Sequence, residues 1–314
     1  MPTTWDDLLR PGEANNFFNP PPDATPFRFD VTAYNDVNAW WLMELSRVIY
    51  CREKTSRAAF LLRARLEEVD FIEEKQTETQ CALIAPPSRN WAALIFRGTE
   101  NIRDWLINAE FMMMPWMRGG RVHAGFRRAF SSVQQQLEDS LREHLPDSTP
   151  LFYAGHSLGG ALATLAASWR KPAAAYTFGS PNVGDDVFGS TLNGHFYRVV
   201  NDRDIVATVP LPLPPRLDYV HHGALHRIGA SNPPVNIFTQ TPFTPLLPNL
   251  HNVTMDSLRE AFGKWATTFV RLVDPPEPLA DHAPINYVNL LGEIIGIPAR
   301  ASKLLPPPPV HAVT

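Results

Sequence analysis

Two cysteines, Cys51 and Cys81, are all that this 314-residue chain contains. That number excludes a disulfide scaffold and allows one bridge at most; placed on a helix and an apolar strand, the pair reads as ordinary buried thiols. Long apolar runs are missing too. None approaches the ~20 residues that cross a bilayer, so any membrane contact is expected to be peripheral. Positive charge is not in excess, with Lys+Arg at 28 against Asp+Glu at 32 and a net charge of −4. Such a balance offers no field for nucleic acid. The first residues, Met1 to Asp7, carry neither a basic n-region nor an apolar h-region. As the sequence stands, this predicts a cytoplasmic protein or one exported by a non-Sec route. No internal repeat is present.

Proline, in contrast, is abundant. Asn19-Pro20-Pro21-Pro22 and the run Leu305 to Pro309 suit extended, solvated segments. They predict an N-terminal arm over 1–30 and a Pro-rich tail over 299–314. Between them, 31–298 is long and apolar enough for one large domain. Pro210 to Pro215 and Asn232 to Pro248 read as surface loops.

Apolar residues of helical period from Asp36 to Tyr50 predict a helix packed on a sheet. Strand-like runs follow at Cys81 to Ala85, Ala92 to Phe96, Leu151 to Ala154, Ala174 to Phe178 and Phe196 to Val200. Helices are expected at Phe126 to His144, Leu158 to Arg170, Thr254 to Leu272 and Ile285 to Ile295. Alternation of this kind argues an α/β domain with a mostly parallel central sheet covered by helices.

One stretch carries chemistry. Tyr153 to Ala163 places Gly155-His156-Ser157-Leu158-Gly159 between a short apolar strand and a helix rich in Ala and Leu. A serine at such a turn has a strained backbone that exposes its Oγ at the C-terminal edge of a sheet, and the glycines let the helix pack close to the strand. A serine hydroxyl needs a histidine to take its proton and a carboxylate to orient that histidine, in chain order Ser, Asp, His for this arrangement. Asp202 and Asp204, after the strand ending at Val200, compete for the acid; Asp218 is a third choice that reads better as a strand-entry residue. Six histidines come late enough to be the base: His221, His222, His226, His251, His282 and His311. His282 is favoured, because it alone sits in a turn immediately before a helix. His221 and His222 lie on the strand-like run from Tyr219. The oxyanion of the tetrahedral intermediate needs N–H donors, which Leu158 and Thr99 can supply, the second where the strand Leu94–Phe96 stops at Gly98.

These residues resemble a family, the class 3 (fungal-type) lipases of the α/β-hydrolase superfamily. The likeness rests on Ile95-Phe96-Arg97-Gly98-Thr99, Asp104-Trp105-Leu106, Val122-His123-Ala124-Gly125-Phe126, Gly155 to Gly160, Thr177 to Gly184, Asp204-Ile205-Val206 and Asp281-His282. The segment Tyr34-Asn35, with Asn38 to Trp41 and Tyr50, is similar to bacterial members. The resemblance implies a triad of Ser157, Asp204 and His282, oxyanion donors Thr99 and Leu158, no metal and no cofactor. It departs at Asn182, where Arg is common, at Asn108, where Asp is usual, and at Ala207 to Pro210, which replaces Pro-x-Leu-Pro. It also implies a lid segment over the active site. Within Thr99 to Asn108, Ile102, Trp105 and Leu106 at i, i+3 and i+4 give one apolar helix face. Phe111 to Met117 reads as an apolar strand, with an acyl-binding wall as its functional alternative.

The expected function is hydrolysis of acylglycerols, a triacylglycerol lipase acting through an acyl-enzyme in peripheral contact with a lipid–water interface. A phospholipase or a feruloyl-type esterase would share the triad. A catalytically silent lipid-binding protein of the same fold is the alternative from another class.

Overall fold

A computed structural model describes residues 17–19, 25–99, 112–192, 194–201, 204–210, 218–229 and 280–298. In chain order these form α1 (Asp36–Val48), α2 (Lys54–Arg63), β1 (Glu67–Glu74), β2 (Thr79–Ala85), β3 (Ala92–Phe96), β4 (Met113–Pro115) and β5 (Arg121–His123). After these come α3 (Ala124–His144), β6 (Leu151–His156), α4 (Leu158–Trp169), β7 (Ala174–Phe178), α5 (Asp186–Gly189), β8 (Phe196–Asn201), β9 (Ala224–Ile228) and α6 (Pro284–Ile294). Seven strands make one sheet in the order β1-β2-β3-β6-β7-β8-β9, and β4-β5 form a separate ribbon. The first three strands pair antiparallel, whereas β3, β6, β7, β8 and β9 run parallel.

The central strands are buried on both faces, so alternation decides which core each side chain joins. Ala93, Ile95, Phe152 and Ala154 enter one cluster with α1 and α6 residues such as Trp40, Leu45, Val288 and Leu291. Leu94, Phe96, Leu151 and Tyr153 enter the other with Phe130, Leu137, Leu162 and Leu165 of α3 and α4. Helix α1 is started by Asn35, whose side chain accepts from the Asn38 N–H. Within 1–30, where the sequence predicts an extended arm, Phe17, Phe18 and Phe27 are buried in the first cluster. The Phe17 ring stacks on Phe60 at 4.4 Å, with the Arg47 guanidinium 3.9 Å over it.

The runs at Ala92–Phe96 and Ala174–Phe178 form strands with those bounds. Two expectations need correction, and one strand is new. Tyr219-Val220 is not a strand: Val220 makes a single bridge to Gly184, and the strand of that region is β9, whose sequence ALHRI is mostly exposed. Strand β1, with the sequence EEVDFIEE, has no counterpart among the expected strands; Glu67 and Glu73 are exposed while Glu68 pairs with the buried Arg57, and pairing with β2 supplies what apolar content does not. The apolar strand expected over Phe111 to Met117 shrinks to Met113–Pro115, with Met117 exposed in the turn beyond. Cys51 and Cys81 are unbridged. The helix expected over Thr254 to Leu272, the lid face of Ile102, Trp105 and Leu106, and Asp202, His251 and His311 lie outside the described residues.

Candidate active site

Strand β6 ends at His156, and α4 begins at Leu158. Ser157 makes the corner at φ 60, ψ −130, a left-handed conformation that costs a non-glycine residue about 1–3 kcal/mol. Hydrogen bonds on both sides hold it there: its N–H donates to Phe178 O at 2.9 Å, and its carbonyl accepts from Gly160 N at 2.9 Å. The glycines make the corner sterically possible. A Cβ at Gly159 would lie 2.1 Å from Phe96 O, and one at Gly155 2.2 Å from the Gly159 carbonyl carbon. Helix α4 can thus sit directly against the ends of β3 and β6.

Leu158 is the first residue of α4, so its N–H is among those that intrahelical bonding leaves unpaired. Thr99 lies three residues beyond the end of β3, which is the parallel neighbour of β6. Both oxyanion candidates therefore stand at the same sheet edge as Ser157.

Asp204 follows β8 in a tight turn, its N–H donating to Asn201 O at 2.8 Å. The buried carboxylate accepts three hydrogen bonds. Oδ1 takes the Val206 N–H at 2.9 Å, while Oδ2 takes His282 Nδ1–H at 2.8 Å and the Tyr287 hydroxyl at 2.6 Å. Burial, and then the Asp204 charge, raise the Tyr287 phenol well above its ordinary range, which keeps it a donor. Asn201 N–H donates to the same phenol oxygen at 3.0 Å. Gly179, at the end of β7 with φ +55, leaves room for this group: a Cβ there would meet Asp204 Oδ2 at 2.4 Å and His282 Nδ1 at 3.0 Å.

His282 lies in the turn leading into α6, and its ring centroid is 4.4 Å from that of His156, the residue before Ser157. With Nδ1 committed to Asp204, the proton-accepting nitrogen is Nε2. Both His282 Nε2 and Ser157 Oγ are buried without a hydrogen-bond partner among the described residues. A buried serine hydroxyl and a carboxylate-oriented imidazole nitrogen left unsatisfied are costly for the fold and suited to reacting groups. Among the described residues no cluster of His, Cys, Asp and Glu is arranged to hold a metal ion.

The other sequence candidates fall elsewhere. Asp218 is exposed, with Arg121 Nη2 3.3 Å away. His221 Nε2 meets Ala207 O at 2.5 Å, His222 Nε2 meets Asp185 O at 3.0 Å, and His226 stacks on Tyr34 at 3.4 Å. Asn182, the departure from Arg, ties the loop after β7 to the acid loop: its N–H donates to Val209 O at 2.8 Å and its Nδ2 to Pro210 O at 3.0 Å. Sequence reasoning missed Tyr287. Its one signal was an aromatic five residues after the favoured histidine, on the helix that follows that turn, a spacing that core packing explains equally well.

Residues 93–213 match the model of the class 3 lipase family, a span that holds Ser157 and Asp204 and stops short of His282. The match takes in 121 of the 314 residues, less than half of the chain. It is 30% identical over 172 residues to a lipase of Rhizomucor miehei, covering 50% of this chain and 47% of that protein. It is 35% identical over 126 residues to the secreted mono- and diacylglycerol lipase 1 of Fusarium solani, covering 36% and 38%. The chain thus spans about half or less of the length of these curated relatives. Among solved structures it is similar to the Rhizomucor miehei triacylglyceride lipase, with a TM-score of 0.51 at 25% identity over 61% of this chain and 79% of that one. The described residues have the α/β-hydrolase fold, a mostly parallel sheet between helical layers.

Proposed function

We propose that the protein is a serine carboxylic ester hydrolase, most closely a lipase acting on acylglycerols. The observation that carries this reading is the buried Asp204–His282 pair at the sheet edge where Ser157 occupies its strained corner. In the first step, Ser157 Oγ attacks the ester carbonyl while His282 Nε2 takes its proton, and the Asp204 carboxylate stabilises the imidazolium through Nδ1. The Leu158 and Thr99 N–H groups receive the oxyanion. Collapse breaks the bond to the alcohol oxygen, which leaves with the proton from Nε2, and an acyl-enzyme remains. Water then attacks the acyl carbon, gives its proton to Nε2, and the acid departs as Ser157 recovers the proton.

The catalytic domain would run through residue 298 and include Phe17, Phe18 and Phe27 of the segment before residue 31, which are buried in its core, with 299–314 as an appendage. The face of Ile102, Trp105 and Leu106 would act as a lid, opened by a lipid interface because an interface buries that face while a dissolved ester offers it nothing. The names of the relatives support glycerides as substrates, and the secreted Fusarium protein favours export over a cytoplasmic location.

A fluorophosphonate probe tests the reaction class. The folded wild type should be labelled at Ser157 and Ser157→Ala should not; an unlabelled wild type would leave the silent lipid-binding reading standing. Turnover on triolein, a phosphatidylcholine and a short p-nitrophenyl ester, compared side by side, tests the substrate class. Preference for phosphatidylcholine would make it a phospholipase.

A further inference from the structure

His156 precedes Ser157, and its side chain takes no part in the steps above. It is nevertheless fully engaged. The buried ring places Nε2 2.8 Å from the carbonyl oxygen of His282 and Nδ1 3.0 Å from the hydroxyl of Tyr50. A carbonyl oxygen only accepts, so Nε2 carries the proton and Nδ1 accepts from the phenol. The neutral Nε2–H tautomer satisfies both partners at once.

The contact falls on the main chain of His282, not on its ring. His282 is therefore anchored twice, at Nδ1 by Asp204 and at its carbonyl by His156. The adjoining carbonyl, that of Asp281, accepts from Asn201 Nδ2 at 2.7 Å. Neither imidazole anchor alone fixes the ring: the Asp204 bond leaves the turn free to hinge about it, and a held turn leaves the ring free to rotate. Together they leave one orientation. Tyr50 extends the network to the neighbouring loop, since Gly98, next to Thr99, packs so closely that a Cβ there would lie 2.1 Å from the Tyr50 hydroxyl.

We infer that His156 and Tyr50 form a positioning relay in which the Tyr50 hydroxyl sets the His156 tautomer and His156 holds the His282 turn in register with Ser157. This rests on the reading of Ser157 and His282 as nucleophile and base. The groups facing the relay are Tyr50 and the Arg97 guanidinium 5.9 Å over its ring, then His282 and Tyr287, with ring centroids 4.4 and 5.6 Å from that of His156. Asp204 lies beyond His282. Burial, and then the neighbouring His282, hold the His156 imidazole well below its ordinary range, so it adds no second cation beside the imidazolium that forms in turnover.

The test compares His156→Leu, His156→Gln and Tyr50→Phe in the full chain. For each, kcat is measured on a soluble p-nitrophenyl ester per fluorophosphonate-titrated serine, together with the pH profile of kcat/KM. His156→Leu removes the donor, and kcat should fall by up to about 100-fold with KM unchanged, the cost of a misplaced base. The acidic limb should move to lower pH, because a loosened Asp204 contact stabilises the imidazolium less. His156→Gln keeps an N–H within reach of the His282 carbonyl and should restore most of the loss; Tyr50→Phe should fall between the two. Wild-type kcat per site and an unmoved acidic limb in His156→Leu would overturn the relay, as would equal damage in Leu and Gln. If His156→Leu does not fold, a Tyr50→Phe protein with wild-type kcat and pH profile would overturn it. Absence of labelling in the wild type is a different result, which sinks the hydrolase reading itself.

Discussion

The two halves of the candidate site are built on opposite plans. The proposed nucleophile half is contiguous: Gly155 to Gly160 contains the serine, the proposed oxyanion donor Leu158 and the glycines that let α4 approach the sheet, and its geometry is held by steric fit and main-chain bonds. The acid–base half is assembled from Asn201, Asp204, His282 and Tyr287, with partners separated by 78 to 86 positions and joined by side-chain hydrogen bonds. The difference teaches where each half is vulnerable. In the first, chemistry and stability reside in different residues. In the second, the same hydrogen bonds supply both.

The largest expected effect separates the two properties in the nucleophile half. Ser157→Ala should lower kcat by about 10⁴- to 10⁶-fold, as triad deletions do elsewhere. Its Tm should stay level or rise slightly, since the lost hydroxyl is buried and unpartnered. A large drop in Tm on thermal denaturation would break the separation. Asp204→Asn should cost about 10⁴-fold in kcat, because only a carboxylate selects the productive His282 tautomer. Here Tm should fall as well, for three donors lose their anionic acceptor. Asp202→Asn is the paired control and should retain activity; if it were the inactive variant, the acid assignment would be wrong.

Gly159→Ala is the mirror image of the serine variant. A methyl group 2.1 Å from Phe96 O forces the backbone to move, at about 3 kcal/mol or more, the upper range of overpacking. Tm should drop sharply with every catalytic group still present. Tyr287→Phe probes the other half more gently. It removes one of three hydrogen bonds to an ionised group, worth about 1.5 kcal/mol at the low end of such bonds and hence about tenfold in kcat. A change in Tm without a change in kcat would show that Tyr287 braces α6 alone.

The smallest effect guards the comparison against acid. His123 caps α3, its Nδ1 accepting from Gly125 and Phe126. Burial, and then the nearby Arg128 charge, lower it from 6.5 to about 4. As pH falls through this window the unfolded chain takes up the proton first, so the fold loses stability between about pH 6.5 and 4. His221, lowered to about 3 by burial and then by Arg198, acts in the same direction. His123→Asn can still cap the helix and cannot titrate, so its Tm should fall less steeply over that range. Loss of activity on the acidic side that persists in this variant belongs to the triad and not to unfolding.

The contiguous half was open to sequence reasoning because its physics is local. Apolar runs bounded by Gly and Pro marked β3, β6 and β7, a serine between small residues marked the corner, and helical periodicity marked α1, α3 and α4. Chain order and turn position favoured His282, while Asp202 and Asp204 could not be separated by pattern and needed the family resemblance. Strand β9 was missed because its side chains are mostly exposed, and β1 because acidic residues outnumber its apolar ones; both depend on a paired neighbour.

What the sequence determined alone was thus the corner and its strand and helix, since short-range sterics dictate them. Only the tertiary structure decided that Asp204 meets His282, that the Tyr287 hydroxyl completes the carboxylate, and that His156 turns its ring toward the His282 main chain. Those contacts arise where β6, β7 and β8 end side by side and α6 packs beneath them, and no local periodicity records which distant segments a sheet will bring together.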